Sequence, residues 1–386
     1  MNPAWLLPEH IEDILPPYAR QAEALRRRLL DLFDGYGYDL VRPPLIEYLD
    51  SLLTGAAGDL DLKTFKMVDG LSGRMLGLRA DSTPQAARID AHLLNRQGVN
   101  RLCYAGPVLH AKPAGLMASR EPYQVGAELF GHAGIEADRE ILQLLLAALA
   151  ACALPEVRVS LGHVGLFRAL AAAAGVTPEI ERPLFRALRA KDSPSLAGLT
   201  AALAPAWQAA FLGLPELYGG AEVIARARRQ LPDAPGVAVA LAELEALLAC
   251  ADGVEIGVDL SDLRGFGYHT GVVFAAYVGG QAQAVALGGR YDNTGAVFGR
   301  ARPATGFSLD LRRILDSLPE PALRLGVLAP LDDDPALLAR IAELRGQGER
   351  VVIEFPGQAE LRAESGCDRQ LVRGKDGWKI SPLVTE

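Results

Sequence analysis

Two polar runs set among apolar neighbours constrain this chain more than any other feature. Gln124 and Glu128 stand four apart in Tyr123–Phe130, a run that is otherwise apolar. Arg264 and Tyr268 repeat that spacing in the glycine-rich run Arg264–Gly271. Charged and amide groups held among apolar neighbours must be satisfied by each other or by a polar ligand. A carboxylate, an amide, a guanidinium and aromatic rings are the parts needed to hold a small zwitterion. Whether the chain performs chemistry on such a ligand or only senses it depends on what surrounds these residues.

At 386 residues the chain is too long for one ordinary core, so two domains, or one domain with an appendage, are expected. Half of it is hydrophobic and 22% charged, which is ordinary for a soluble globular protein. The net charge of -8 argues against non-specific attraction to nucleic acid, which relies on basic side chains. Cys103, Cys152, Cys250 and Cys367 are widely spaced and form no C-x-x-C pair, a pattern of unpaired thiols in a reducing compartment. The amino terminus has no charged region followed by a long apolar run, so it does not read as a secretory signal. Ile141 to Leu154, the most apolar helical stretch, is too short to span a bilayer. A cytoplasmic protein with no membrane association is expected. His10, His92, His132 and His163 lack metal-ligand spacing, and no metal or cofactor is expected.

Periodicity and punctuation order the elements. Tyr18 to Leu32 has helical spacing and is closed by Gly35; Tyr38 to Val41 reads as a strand stopped by Pro43 and Pro44. Arg74 to Arg79 reads as a strand, and Asp81-Ser-Thr-Pro84 starts a helix to about Leu94. Leu102 to Leu109 and Tyr123 to Phe130 read as strands flanking a loop. A helix from Asp138 and a strand at Arg158 to Leu161 precede an Ala/Leu-rich helical insertion at about 164–250. Strands return at Val254 to Leu260, Val272 to Tyr277 and Gln283 to Leu287, with Gly288–Asp292 as a turn. Gly306 to Leu315 runs from strand into helix. Beyond the linker Leu318–Pro321 comes a small α/β tail. The fold class is α+β, with a body at 1–317 and a short domain at 318–386.

These elements, in this order, resemble the class II aminoacyl-tRNA synthetase core of the histidyl-tRNA synthetase type, from about Ile11 to Leu315. Tyr36–Glu47 is similar to the first class motif, whose helix, strand and proline form the dimer interface. Leu78–Thr83 resembles the family's Leu-Arg-Pro-Glu-Gly-Thr segment, and Gln124–Gly131 the end of its second motif. Arg264–Gly271 resembles the histidine-specific motif, and Gly306–Arg313 occupies the third. Carried over by this resemblance, Asp81 and Thr83 meet a ligand's ammonium group and Gln124 bridges ammonium and carboxylate. Arg264 pairs with the carboxylate, Glu128 accepts an imidazole N–H, and Tyr268, His269 and Tyr291 line the ring. His269 stands where the synthetases carry a second tyrosine.

The nucleotide side departs from the family pattern. His110 replaces the arginine that grips the α-phosphate, Lys112 replaces an acidic residue, and Pro113 replaces the next arginine. Pro122 stands where an aromatic ring would stack on adenine. Arg120 and Arg313 remain, with Arg312 in place of a glutamate. Adenylyl transfer depends on positioned cations and metal clamps, so this degenerate site is expected to lack adenylation. The residues after the linker are too few for the family's anticodon-binding domain, and with Asp332–Asp334 they argue against tRNA binding.

A synthetase core with its histidine pocket kept and its nucleotide grip degraded resembles the regulatory subunit of ATP phosphoribosyltransferase. That resemblance implies a non-catalytic subunit in the first step of histidine biosynthesis, binding L-histidine as feedback inhibitor. It implies a short-form catalytic subunit as partner, in a hetero-octamer of four regulatory and four catalytic chains, with self-association through a class II-type dimer. An atypical active histidyl-tRNA synthetase and a stand-alone histidine sensor remain the alternatives.

Overall fold

A computed structural model describes residues 5–53, 58–115, 118–250, 253–265, 267–292, 294–375 and 377–384 of the chain. Phe266 of the glycine-rich run lies outside the described residues. The chain divides into two units, Met1–Pro319 and Glu320–Glu386.

Among its described residues the first unit contains twelve strands: β1 (Asp39–Leu40), β2 (Ile46–Tyr48), β3 (Lys66–Val68), β4 (Met75–Leu78), β5 (Asn100–Pro107), β6 (Tyr123–Phe130), β7 (Val157–His163), β8 (Tyr218–Gly219), β9 (Glu255–Asp259), β10 (Val272–Val278), β11 (Ala286–Arg290) and β12 (Ala304–Asp310). Nine of them form one sheet in the order β1-β5-β6-β12-β11-β10-β7-β9-β8, while β2, β4 and β3 form a separate sheet. The large sheet is antiparallel except where β1 pairs with β5 and β7 with β9. A long antiparallel sheet with its helices packed outside it is the α+β arrangement.

Burial explains which helices cover that sheet. In the helix Tyr18–Gly35, Leu25, Leu29 and Phe33 recur every four residues and are buried as one stripe. The Phe33 ring meets Phe307 of β12 edge to face at 5.8 Å. In the helix Ile135–Ala151, Ile141, Leu142, Leu144, Leu145, Ala148 and Leu149 join the same core. Each large side chain so buried contributes roughly 1.5–3 kcal/mol. Between His163 and Cys250 the chain is mostly helical, and helices at Pro178–Arg189, Ser193–Thr200, Pro205–Gly213 and Pro235–Leu248 carry proline in the first turn. Proline there sacrifices no helical hydrogen bond.

Two local expectations change. The helix after Asp81 is α-helical only over Thr83–Arg88 and continues as a π-helix over Ile89–Leu94. The wide turn contains Asp90, which is buried and accepts from Arg302 at 2.8 Å and Asn100 at 2.9 Å. Gly288-Gly289-Arg290 is not a turn but the end of β11. Its glycines serve close approach instead: a Cβ on Gly288 would overlap the Phe274 ring of β10.

The second unit has strands β13 (Gly326–Pro330), β14 (Val351–Glu354), β15 (Cys367–Gly374) and β16 (Gly377–Pro382), in the order β14-β13-β15-β16. Val327, Ala329, Leu337, Ile341, Leu344, Val351 and Leu371 make its core. Asp334, last of the aspartate triplet, caps the helix Pro335–Gly346 through Ala336 N–H at 2.9 Å and accepts from Trp378 Nε1 at 2.9 Å. That aspartate is structural. Among the described residues no helix is long and apolar enough to cross a membrane.

Candidate functional site

Glu128 is the centre of the polar cluster. It sits in the middle of the sheet on β6, only 1% exposed, between β5 and β12. Its Oε1 accepts from the Thr83 hydroxyl at 2.8 Å and the Tyr104 hydroxyl at 3.0 Å, and its Oε2 accepts from the Tyr291 hydroxyl. Burial pushes the Glu128 carboxyl up to about 8, against the opposing pull of those three hydroxyls and reinforced by the nearby Asp81 charge. Burial also keeps the Tyr104, Tyr268 and Tyr291 phenols protonated, with the Glu128 charge acting the same way.

Glycines make this crowding possible. Gly306 faces Glu128 on β12, and a Cβ there would overlap Glu128 Oε2. Gly126 faces Tyr104 on β5, and a Cβ there would come within 2.6 Å of the phenol oxygen. Tyr104 escaped the sequence reading because a tyrosine in an apolar strand carries no polar signal of its own. Its register opposite Gly126 is the signal that could have found it.

Beside this group lies a second, linked one. Gln124 accepts from the Ser82 N–H at 3.0 Å and donates to Asp81 Oδ1 at 3.2 Å. Asp81 Oδ1 also accepts from the Thr83 N–H at 3.3 Å. Gln124 and Glu128, even-spaced on one strand, therefore face the same side of the sheet and meet the same segment, 81–83.

The glycine-rich run adds a ring wall. Tyr268 stacks on Tyr291 with centroids 5.0 Å apart, and His269 meets Tyr268 edge to face at 5.2 Å. The Tyr268 hydroxyl is buried without a well-formed hydrogen bond among the described residues, although the Thr294 and Thr83 hydroxyls lie near enough to act on it as weak hydrogen-bond partners. His269 Nδ1 lies 3.2 Å from the Arg290 carbonyl. A carbonyl only accepts, so Nδ1 carries the proton and Nε2 is left as an acceptor. Burial, with the Arg264 and Arg168 cations nearby, pushes His269 down to about 4, and it is neutral at pH 7.

Arg264 is not joined to the Glu128 group by any contact among the described residues. Its fork grips Asp262 through Nε at 2.7 Å and Nη2 at 2.5 Å, and Nη2 also donates to the Tyr277 hydroxyl at 2.8 Å. The structure thus brings together Asp81, Thr83, Gln124, Glu128, Tyr268, His269 and Tyr291, and leaves Arg264 on a carboxylate of its own, Asp262.

On the flank the arginines are similarly engaged. His110 Nε2 faces the Ala80 carbonyl at 3.0 Å, which leaves Nδ1 bare, buried and without a partner among the described residues. Burial pushes His110 below its ordinary value. Arg120 donates to the His110 carbonyl at 3.0 Å and lies 4.9 Å from the centre of the Phe65 ring. Arg313 pairs with Asp310 at 3.1 Å, and Arg312 with Glu12 at 3.2 Å and Glu121 at 3.4 Å. Lys112 is exposed and Pro122 buried. Among the described residues no group of three or more His, Cys, Asp or Glu could hold a metal ion. The arrangement is suited to exchanging hydrogen bonds with a small polar ligand.

Comparison with known proteins places this geometry. The family model for histidyl-tRNA synthetase matches residues 10–314, and that for the ATP phosphoribosyltransferase subunit HisZ C-terminal domain matches residues 324–381. The ATP phosphoribosyltransferase regulatory subunit of Cupriavidus taiwanensis is 57% identical over 99% of this chain and 100% of its own length. That of Ralstonia nicotianae is 56% identical over 98% of each. A solved ATP phosphoribosyltransferase regulatory subunit/histidyl-tRNA synthetase from Bacillus halodurans is 27% identical with a TM-score of 0.84, covering 94% of this chain and 96% of its own. A Nostoc histidyl-tRNA synthetase, 17% identical with a TM-score of 0.81 over 98% of this chain and 95% of its own, shares the fold. With a synthetase-like body and the carboxy-terminal domain specific to the regulatory subunit, the chain belongs to the ATP phosphoribosyltransferase regulatory subunit family, a family of non-catalytic subunits.

Proposed function

We propose that this chain binds histidine at the Glu128 cluster and couples it to inhibition of a short-form ATP phosphoribosyltransferase catalytic subunit. The observation that carries this reading is the buried Glu128, ringed by the Thr83, Tyr104 and Tyr291 hydroxyls with the Asp81–Gln124 pair beside it. In this reading Asp81 and Thr83 receive the ammonium group, Gln124 bridges ammonium and carboxylate, and Glu128 meets the imidazole between Tyr268, His269 and Tyr291. Arg264 leaves Asp262 to pair with the ligand carboxylate, a charge-assisted contact. The chain self-associates through a class II-type dimer and assembles four-plus-four with its cytoplasmic partner. Closure of the Arg264 and Lys112 loops on histidine biases the assembly toward its inhibited state.

Pro122 and the engaged Arg120, Arg312 and Arg313 support the absence of adenylation. Binding coupled between two sites is reciprocal, so a partner substrate that opposes the inhibited state weakens histidine. Calorimetric titration of histidine into the co-purified complex is expected to give weaker affinity with phosphoribosyl pyrophosphate than without it. Identical affinities would reject the coupling. Histidine-dependent ATP–pyrophosphate exchange by the purified chain would instead identify an active synthetase.

A further inference from the structure

His163 is the last residue of β7 and is 5% exposed, yet both of its ring nitrogens are engaged. Nδ1 accepts from the Leu166 N–H at 3.1 Å and so carries no proton; this contact caps the helix Val164–Ala173. Nε2 therefore holds the ring proton and donates it to Glu243 Oε2 at 2.7 Å. Glu243 belongs to the helix Pro235–Leu248 of the helical insertion. The His163 N–H is the main cause that holds its carboxyl below the ordinary value, with the Arg290 cation acting the same way.

The capped turn lies against the exit of the glycine-rich run. His163 pairs with Val272 across β7 and β10, and the Val164 N–H donates to the Gly271 carbonyl at 2.9 Å. Gly165 leaves the space for this: a Cβ there would come within 2.9 Å of the His163 ring and 3.2 Å of the Thr270 carbonyl oxygen. The Thr270 N–H in turn donates to the Arg290 carbonyl at 2.8 Å, the same carbonyl that holds His269 Nδ1 at 3.2 Å. Contacts thus run without a break from the insertion to the ring wall of the Glu128 cluster. We propose that Glu243 is a positioning residue for histidine, acting through His163 to hold the turn that carries Tyr268 and His269, so that the helical insertion is coupled to the effector site. This rests on histidine binding at the Glu128 cluster. A buried ring N–H with no acceptor is costly. Without Glu243 the ring turns or the cap loosens, and Thr270 and Gly271 lose a fixed neighbour. Such coupling is reciprocal: a pair that strengthens histidine binding is itself strengthened by histidine.

Calorimetric titration of histidine into the full chain tests this, with amide hydrogen exchange at 164–167 as a second readout. Glu243→Ala is expected to weaken histidine about tenfold through the loss of one buried hydrogen bond. Glu243→Gln, whose amide oxygen still accepts from Nε2, should stay within about twofold of wild type. Histidine is expected to slow exchange at 164–167 in wild type and not in Glu243→Ala. Unaltered affinity in Glu243→Ala overturns the proposal and leaves the pair a purely structural link; Glu243→Gln as weak as Glu243→Ala overturns it too. If Glu243→Ala does not fold, exchange in wild type decides, and no slowing at 164–167 overturns the proposal. Wild type that fails to bind histidine, or Glu128→Gln that binds it as wild type does, defeats the binding site itself and this inference with it.

Discussion

Gly306 stands directly opposite Glu128 across the β6–β12 pair, and a methyl group on Gly306 would take the space of the Glu128 carboxyl. The polar centre of the sheet therefore exists only because its neighbour has no side chain. The carboxyl is held by Thr83, Tyr104 and Tyr291 from three other parts of the chain. Space and hydrogen bonding are thus separable requirements at one residue.

Gly306→Ala should displace Glu128 and destabilise the protein by about 1–3 kcal/mol through overpacking. Histidine binding should be lost with it. Gly346→Ala, at a helix end with nothing within 4 Å of its Cβ position, is the control and should be neutral or slightly stabilising. Urea midpoints of the two variants check this. Equal midpoints would mean that the sheet relaxes around the added methyl.

Glu128→Gln should remove a pH dependence. The folded carboxyl is raised from 4.5 to about 8, so the native state holds a proton that the unfolded chain has already released across that range. The associated stability is fully present below about 4.5 and is lost as pH rises to about 8, by at most about 1.4 kcal/mol per pH unit. The stability of wild type relative to Glu128→Gln should accordingly fall between pH 5 and 8. Denaturation series at intervals across that range measure it, and a constant difference would show Glu128 ionised throughout. The same variant should abolish histidine inhibition while leaving assembly with the partner intact.

Arg290→Met should be among the most damaging single changes. Arg290 holds the buried Asp138 at 2.5 Å, donates to the Gly134 carbonyl at 3.0 Å, and its own carbonyl fixes His269. Burial, reinforced by the Glu243 charge, raises Asp138, and Arg290 gives the largest opposing pull, ahead of the Thr305 hydroxyl. Removing the cation leaves an uncompensated acid, at a cost of about 3–5 kcal/mol. The double variant Arg290→Met/Asp138→Leu should recover much of this loss in thermal unfolding.

Asp262→Asn should strengthen histidine binding several-fold. The ligand carboxylate competes with Asp262 for the Arg264 fork, which Asp262 now occupies through two hydrogen bonds. Arg264→Gln should weaken binding by about tenfold. Calorimetry on both variants separates the roles: if Asp262→Asn also weakens binding, Arg264 is a structural ion-pair partner.

Much of the fold is legible because it rests on local periodicity. The helix Tyr18–Gly35 follows from its apolar stripe, and β6 from its run of apolar residues bounded by Pro122 and Gly131. Gln124 and Glu128 could be singled out because each is a polar group in an apolar strand, whatever lies across from it. The π turn at Ile89–Leu94 could not, because a helical repeat does not reveal one widened turn. Gly288 and Gly289 read as a turn by composition, yet they admit the close approach of β10 to β11.

By itself, the sequence determined where strands and helices run and which polar groups would need partners. Only the tertiary structure decided who those partners are. Tyr104 joined the Glu128 cluster through β-sheet register, Arg264 turned to Asp262, and Arg79 went to the Pro107 and Pro43 carbonyls. The reason is physical: a segment's periodicity depends on its near neighbours, whereas each hydrogen bond goes to whichever group the completed packing brings within about 3 Å.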